Sequence, residues 1–258
     1  MTTAGGTITG SSTSTEAIGI YIESGASTLQ TSKNVTLMGD KSVGVYINDT
    51  LGSMNYTNTG TITIGNALLQ SNPSVGIYSN AQSMTEQGNI TVGDNAIGLY
   101  SSKIGSTVKL DTSGMISVGE NGTGIYKLGG TLQIDGTLKA LGNNSVGAYV
   151  EGGMVTNNST SLVIGSSAYG IVGTAGTGAT NITNNSSNVT MGDNSVFIYS
   201  SDTTGTVTNN ASLMSPSNKL YGLYGSGTIV NNNTIDYSAG IGNVGIYTTN
   251  GGNATNNA

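Results

Sequence analysis

The groups in this chain that could do chemistry are carboxylates, phenols and amines: thirteen Asp and Glu, thirteen tyrosines and seven basic residues, all lysine, among 258 positions. Histidine and cysteine are absent, which excludes an imidazole base, a thiol nucleophile, a disulfide and the usual zinc ligands. A converging pair of carboxylates would equip a glycoside hydrolase, and carboxylates with a cation or calcium a polysaccharide lyase. The acids are instead scattered, and only Asp94 and Glu120 fall at equivalent corners of adjacent coils. Lys103, Lys109 and Lys127 are not aimed at them in the pattern, and there is no arginine to hold an anion. The calcium-binding Gly-Gly-x-Gly-x-Asp nonapeptide and the EF-hand loop are missing as well. The expectation is a protein that is not an enzyme, with no catalytic residues, metal ligands or cofactor, in which Asp40, Asp94, Glu120 and Asp193 are turn residues. The net charge of −6, without a basic cluster, removes nucleic acid from the expected partners.

The tyrosines, unlike the acids, are placed regularly. One phrase recurs from Ile18-Gly19-Ile20-Tyr21 through Val43-Gly44-Val45-Tyr46, Val75-Gly76-Ile77-Tyr78 and Ile97-Gly98-Leu99-Tyr100 to Val244-Gly245-Ile246-Tyr247. Ten copies occupy the chain at a period of about 25 residues, in the range that marks a solenoid. Each period holds two further apolar segments. One precedes a glycine corner, as in Ile62-Thr63-Ile64-Gly65 and Ile90-Thr91-Val92-Gly93, and the other follows the tyrosine, as in Thr107-Val108-Lys109-Leu110 and Thr206-Val207-Thr208-Asn209. All are short, β-branched runs of period two bounded by Gly, Asn, Asp and Ser, a strand signature with turn chemistry at its ends. Three short strands per coil bury their apolar faces only by stacking coil on coil. The expected fold is all-β, a right-handed parallel β-helix of about ten coils, a rod of about 50 Å at the usual strand spacing, with residues 1–258 as one domain.

Strict alternation predicts the first and third residues of the phrase in the core and the glycine and tyrosine outside. Nine tyrosines (Tyr21, Tyr46, Tyr78, Tyr100, Tyr126, Tyr149, Tyr199, Tyr224 and Tyr247) then form a ladder, broken where Val172 replaces a tyrosine, while Phe197 replaces a glycine. Corners such as Gly93-Asp94-Asn95 and Gly192-Asp193-Asn194 supply residues that tolerate positive φ. Asn157, Asn184, Asn209, Asn232 and Asn256 recur at coil spacing and are expected to stack their amides.

Two features are candidate ligand sites. A row of aromatic faces suits stacking on sugars or peptide side chains, which singles out Tyr78, Tyr100 and Tyr126. The same row also stabilises neighbouring strands by about 0.2–1 kcal/mol per pair, and its regularity favours that structural role, because a binding site usually breaks a repeat. The longest interval, between Tyr46 and Tyr78, carries insertions at Asn48 to Asn58 and Ala67 to Pro73. Loops on a rigid scaffold concentrate binding, so Asn48, Asp49, Asn55 and Tyr56 join the candidates. Thr63, Thr91, Ser117 and Thr190 form a polar file that raises ice binding as an alternative, but Leu37, Ala140 and Val163 interrupt it when residues are counted back from the corner glycine.

The alternation of Gly-x-Ile-Thr-Val-Gly-Asp-Asn with Val-Gly-Ile-Tyr, fullest at Gly88 to Tyr100 and again at Ser187 to Tyr199, resembles the passenger repeats of the very large autotransporter adhesins of Fusobacterium and its relatives. The similarity spans nearly the whole chain. It implies a β-helical stalk at the cell surface or secreted, anchored by an outer-membrane barrel and contacting host or bacterial surface proteins or glycans. Met1 to Gly10 lacks the features of a signal peptide, and the repeats run to both ends, from Gly5-Gly6-Thr7-Ile8-Thr9 to Asn257-Ala258. The expectation is a segment of a longer passenger. The other β-helical classes to weigh are a polysaccharide-degrading enzyme, a phage tail-type carbohydrate-binding protein and the ice-binding solenoid.

Overall fold

The computed structural model describes residues 2–3, 6–23 and 27–258; Gly5, where the first repeat was read to begin, lies outside them. Among the described residues every named strand pairs in parallel with the equivalent strand one coil away, and no helix occurs. The chain is a β-helix of about ten coils, each with three strands and roughly 25 residues. Three sheets run along it. The tyrosine sheet holds ten strands, from Ile18–Glu23 to Val244–Thr248. An asparagine sheet of eleven runs from Thr2–Thr3 to Asn253–Asn256, and a corner sheet of eight runs from Thr7–Gly10 to Val189–Met191. Beyond Met191 the corner sheet gives way to a separate pair, Leu213–Met214 and Ile235–Asp236.

The core is the inside of this tube. Ile62, Ile90, Ile116, Leu138 and Leu162 from the corner sheet, Ile77, Leu99, Ile125 and Ile171 from the tyrosine sheet, and Val108, Leu132 and Ile182 from the asparagine sheet are all essentially without solvent contact. Ile62-Thr63-Ile64 and its equivalents alternate strictly, isoleucines in and threonine out, as the period-two pattern requires.

The repeated phrase departs from that pattern. Its third residue is buried as expected, but the first is mostly half-exposed and the glycine is inside. Residues two and three both face the core, a bulge-like local break in the alternation. The reason is crowding. A Cβ on Gly98 would lie 2.5 Å from the carbonyl oxygen of Gly124 and 2.7 Å from Cγ2 of Ile116, so the absent side chain is what lets coil approach coil and the isoleucine fill the interior. Phe197, which replaces this glycine once, is fully buried and stands where the corner-sheet strand has shortened to Val189–Met191.

The corners carry the positive φ that their residues were expected to tolerate. Positive φ falls on the asparagine (55° at Asn95, 52° at Asn121, 55° at Asn144 and 59° at Asn194) rather than on the corner glycine. The glycine is needed for close approach: a Cβ on Gly119 would sit 2.4 Å from Oδ1 of Asp94. Asp94 Oδ1 accepts the Glu120 backbone N–H at 2.8 Å, and Asp193 Oδ1 accepts that of Asn218 at 2.8 Å. These acids tie one corner to the next.

Candidate functional site

The tyrosine ladder forms an outer face that runs unbroken from Tyr21 to Tyr149. Ring centroids are 5.6 Å apart for Tyr21 and Tyr46, 4.8 Å for Tyr46 and Tyr78, 5.3 Å for Tyr78 and Tyr100, 5.1 Å for Tyr100 and Tyr126, and 5.0 Å for Tyr126 and Tyr149. After the break at Val172 the stack resumes, with 5.0 Å between Tyr199 and Tyr224 and 4.9 Å between Tyr224 and Tyr247. Tyr78, Tyr100 and Tyr126 are half-buried, each covering part of the next ring. Burial first, then the neighbouring Tyr78, holds the Tyr100 hydroxyl above the usual phenol range. Tyr126 is raised for a related reason, its burial being reinforced by the hydrogen bond it donates to Glu151.

The two insertions flank this face on opposite sides. Residues 49–54 follow the tyrosine strand Val43–Asn48, and residues 65–74 precede the tyrosine strand Val75–Ser79. Both lean along the rod across two coils: Lys103 Nζ donates to the Gly52 carbonyl at 2.9 Å, and Gln70 Nε2 donates to that of Asn121 at 3.3 Å. Their tips expose Leu51, Leu68 and Leu69. Where the second insertion meets the ladder, Gln70, Pro73, Ile97, Asn121 and Tyr126 line a hollow of about 140 Å³. Tyr78 and Tyr100 are thus the rungs with an insertion on either side.

Other expected site residues are placed differently. Tyr56 is buried in the core, its hydroxyl 2.5 Å from Thr31 Oγ1, because Asn55–Asn58 is a strand of the asparagine sheet and not part of a loop. Burial raises its hydroxyl above the ordinary phenol value. Asp49 is buried as a turn cap, accepting from Gly52 N at 2.9 Å and Met54 N at 2.8 Å. Asn55 is exposed and donates to the Ser27 carbonyl at 3.2 Å, while Asn48 is half-buried and donates to the Tyr21 hydroxyl at 3.4 Å. Of the seven candidates, only the three ladder tyrosines come together.

The polar files are also shifted by one place. Asn157, Asn184, Asn209, Asn231 and Asn256 make the inner amide ladder, with bonds of 2.7–2.8 Å. Asn232 belongs to a second, outer ladder with Asn185 and Asn210. In the corner sheet Thr36 and Lys139, not Leu37 and Ala140, align with Thr63 and Ser117. The threonine file therefore runs from Thr9 to Ser117 before Lys139 and Val163 interrupt it.

The lysines have local partners. Lys109 bridges Asp111 at 3.0 Å and Asp135 at 3.4 Å. Lys127 is buried, donating to the carbonyls of Lys103 and Leu128 and to Ser106 Oγ. Among the described residues no three acids gather as a metal site. Comparison with protein-family models, with curated proteins and with solved structures finds no match.

Proposed function

We propose that this chain is a surface-displayed adhesin segment: a rigid spacer whose aromatic trough contacts proteins or glycans on another cell. The observation that carries the reading is the position of Tyr78 and Tyr100, an aromatic floor with an insertion on each side, built on a stiff tube. The low charge, 8% of residues, and the resemblance of the repeats to adhesin passengers support it. A stack of phenol faces offers apolar area with polar edges, which suits sugars and peptide side chains alike.

Adhesion of the purified chain to host epithelial cells and to partner bacteria tests the reading. Wild type is compared with Tyr78, Tyr100 and Tyr126 changed together to serine, and with a variant shortened only within residues 50–53, which spares the strand carrying Tyr56. The tyrosine variant is expected to lose most adhesion and the shortened variant part of it. Equal adhesion by all three would remove the trough as the contact surface. No adhesion by any would leave the spacer role and place binding elsewhere. A reading frame in a cytosolic or phage-tail context would defeat the surface assignment.

A further inference from the structure

The ladder has one missing rung. Tyr149, Val172 and Tyr199 are aligned in three successive coils, so two tyrosine rings face each other across a valine. With strands about 4.8 Å apart, those rings stand about 10 Å from one another. Val172 is nearly buried and forms the floor. Tyr169 closes one side, its ring 6.4 Å from that of Tyr199 and turned by 77° to meet it edge-on. Val146 completes a largely apolar hollow of about 370 Å³. This is also where the repeat is least regular, since Tyr169 takes the place of an aliphatic first residue and the next coil carries the buried Phe197.

We propose that this notch is a binding site for a single pyranose ring, held between the faces of Tyr149 and Tyr199. Aromatic rings interact with a partner at centroid distances of about 4.5–7 Å, so a gap of about 10 Å receives one ring with contact on both faces. A saturated chair is thicker than a flat aromatic ring and presents CH groups to either side, which makes it the closer fit to a slot of two rungs. Its equatorial hydroxyls need polar partners at the edge, and the notch has them. Glu151 and Thr174 are aligned with each other two residues beyond Tyr149 and Val172, on the same outward face, and Glu151 already accepts the Tyr126 hydroxyl. An aromatic side chain would make no use of that rim. The site depends neither on the trough at Tyr78 and Tyr100 nor on surface display.

The test is saturation-transfer NMR on the full chain with methyl β-D-galactopyranoside, methyl β-D-glucopyranoside and p-cresol as probes. Val172→Tyr supplies the missing rung with a residue that nine other coils already carry there. It is expected to keep the wild-type circular dichroism spectrum and to weaken pyranoside binding about tenfold or more. Tyr199→Ser, which removes one wall from an outward-facing position, serves as the second variant and is expected to abolish the transfer. Transfer to the ring CH protons of at least one pyranoside in the wild type, lost in both variants, supports the site. No transfer from either pyranoside, transfer unchanged by Val172→Tyr, or binding of p-cresol alone would overturn it, the last by making the notch a pocket for an aromatic side chain.

Discussion

Asn58 Nδ2 donates to both carboxylate oxygens of Glu86, at 2.9 and 3.1 Å, and both side chains lie inside the tube out of contact with water. The Gly88 N–H adds a third bond at 2.8 Å. Among the described residues no cation pairs with this carboxyl. Burial therefore outweighs these donors and pushes the Glu86 pKa from 4.5 up to about 8. Below pH 4.5 the group is neutral in both the folded and unfolded chain, and its contribution to stability is fully present. That contribution is lost as pH rises to about 8, because only the unfolded chain ionises in that window. Glu86→Gln is expected to leave the melting temperature unchanged at pH 4 and raise stability at pH 8 by on the order of 4 kcal/mol. Equal effects at both pH values would count against a neutral buried carboxyl.

Lys127 has the opposite sign. Burial lowers its pKa from 10.5 to about 8, so its contribution is present above 10.5 and lost as pH falls through about 8. Lys127→Met is expected to stabilise the protein at pH 6 more than at pH 10, read by thermal melts. With both groups present, the wild-type chain should have a local minimum of stability near pH 8, which a pH series of melts would reveal.

The inner amide ladder is satisfied link by link. Asn184 Nδ2 donates to Asn209 Oδ1 at 2.7 Å and to the Ser186 carbonyl at 3.1 Å, while its Oδ1 accepts from Asn157 at 2.8 Å. Aliphatic residues do occupy this file as an adjacent pair, Leu110 beside Ile134, between Glu86 and Asn157. At Asn184 a leucine would strand two buried amides, so Asn184→Leu is expected to cost about 2–4 kcal/mol. A denaturant midpoint equal to wild type would show that the ladder is dispensable.

Gly98 is held in place by its neighbours rather than by its own dihedral angles. Gly98→Ala is expected to lower the denaturation midpoint clearly, since its Cβ meets the Gly124 carbonyl at 2.5 Å, a backbone atom that cannot swing away. Replacing Ile77 or Leu99, both without solvent contact, with Asp should unfold the surrounding coils, because an unpaired charge enters the core. Protease cutting confined to those coils would be the signature, and an intact digestion pattern would contradict it.

The coil period and the three strands per coil were legible because each segment alternates apolar and polar residues with Gly or Asn at its ends. The inward glycine was not, since alternation was carried through a phrase that contains two consecutive inward residues. Phe197 held the clue, a bulky apolar residue where an outward glycine was expected. Asn231 and Asn232 are adjacent, so composition alone left the amide ladder ambiguous by one position. Tyr56 was misplaced because extra length was read as loop, although Asn55-Tyr56-Thr57-Asn58 alternates like its neighbours. Glu86 and Lys127 carry no local sign of burial; only coil register, setting Glu86 beside Asn58 and Lys127 beside Ser101, shows which way they point.

Strand pairing between neighbouring coils has a mechanical consequence. The strands lie across the rod, so the hydrogen bonds that join coils point along it, and a pull on the two ends loads those bonds one ring at a time rather than in concert. Extension should proceed by peeling, each coil of about 25 residues releasing about 85 Å of chain at full stretch. A rod built this way yields in steps and dissipates work under tension while the coils still stacked keep their form.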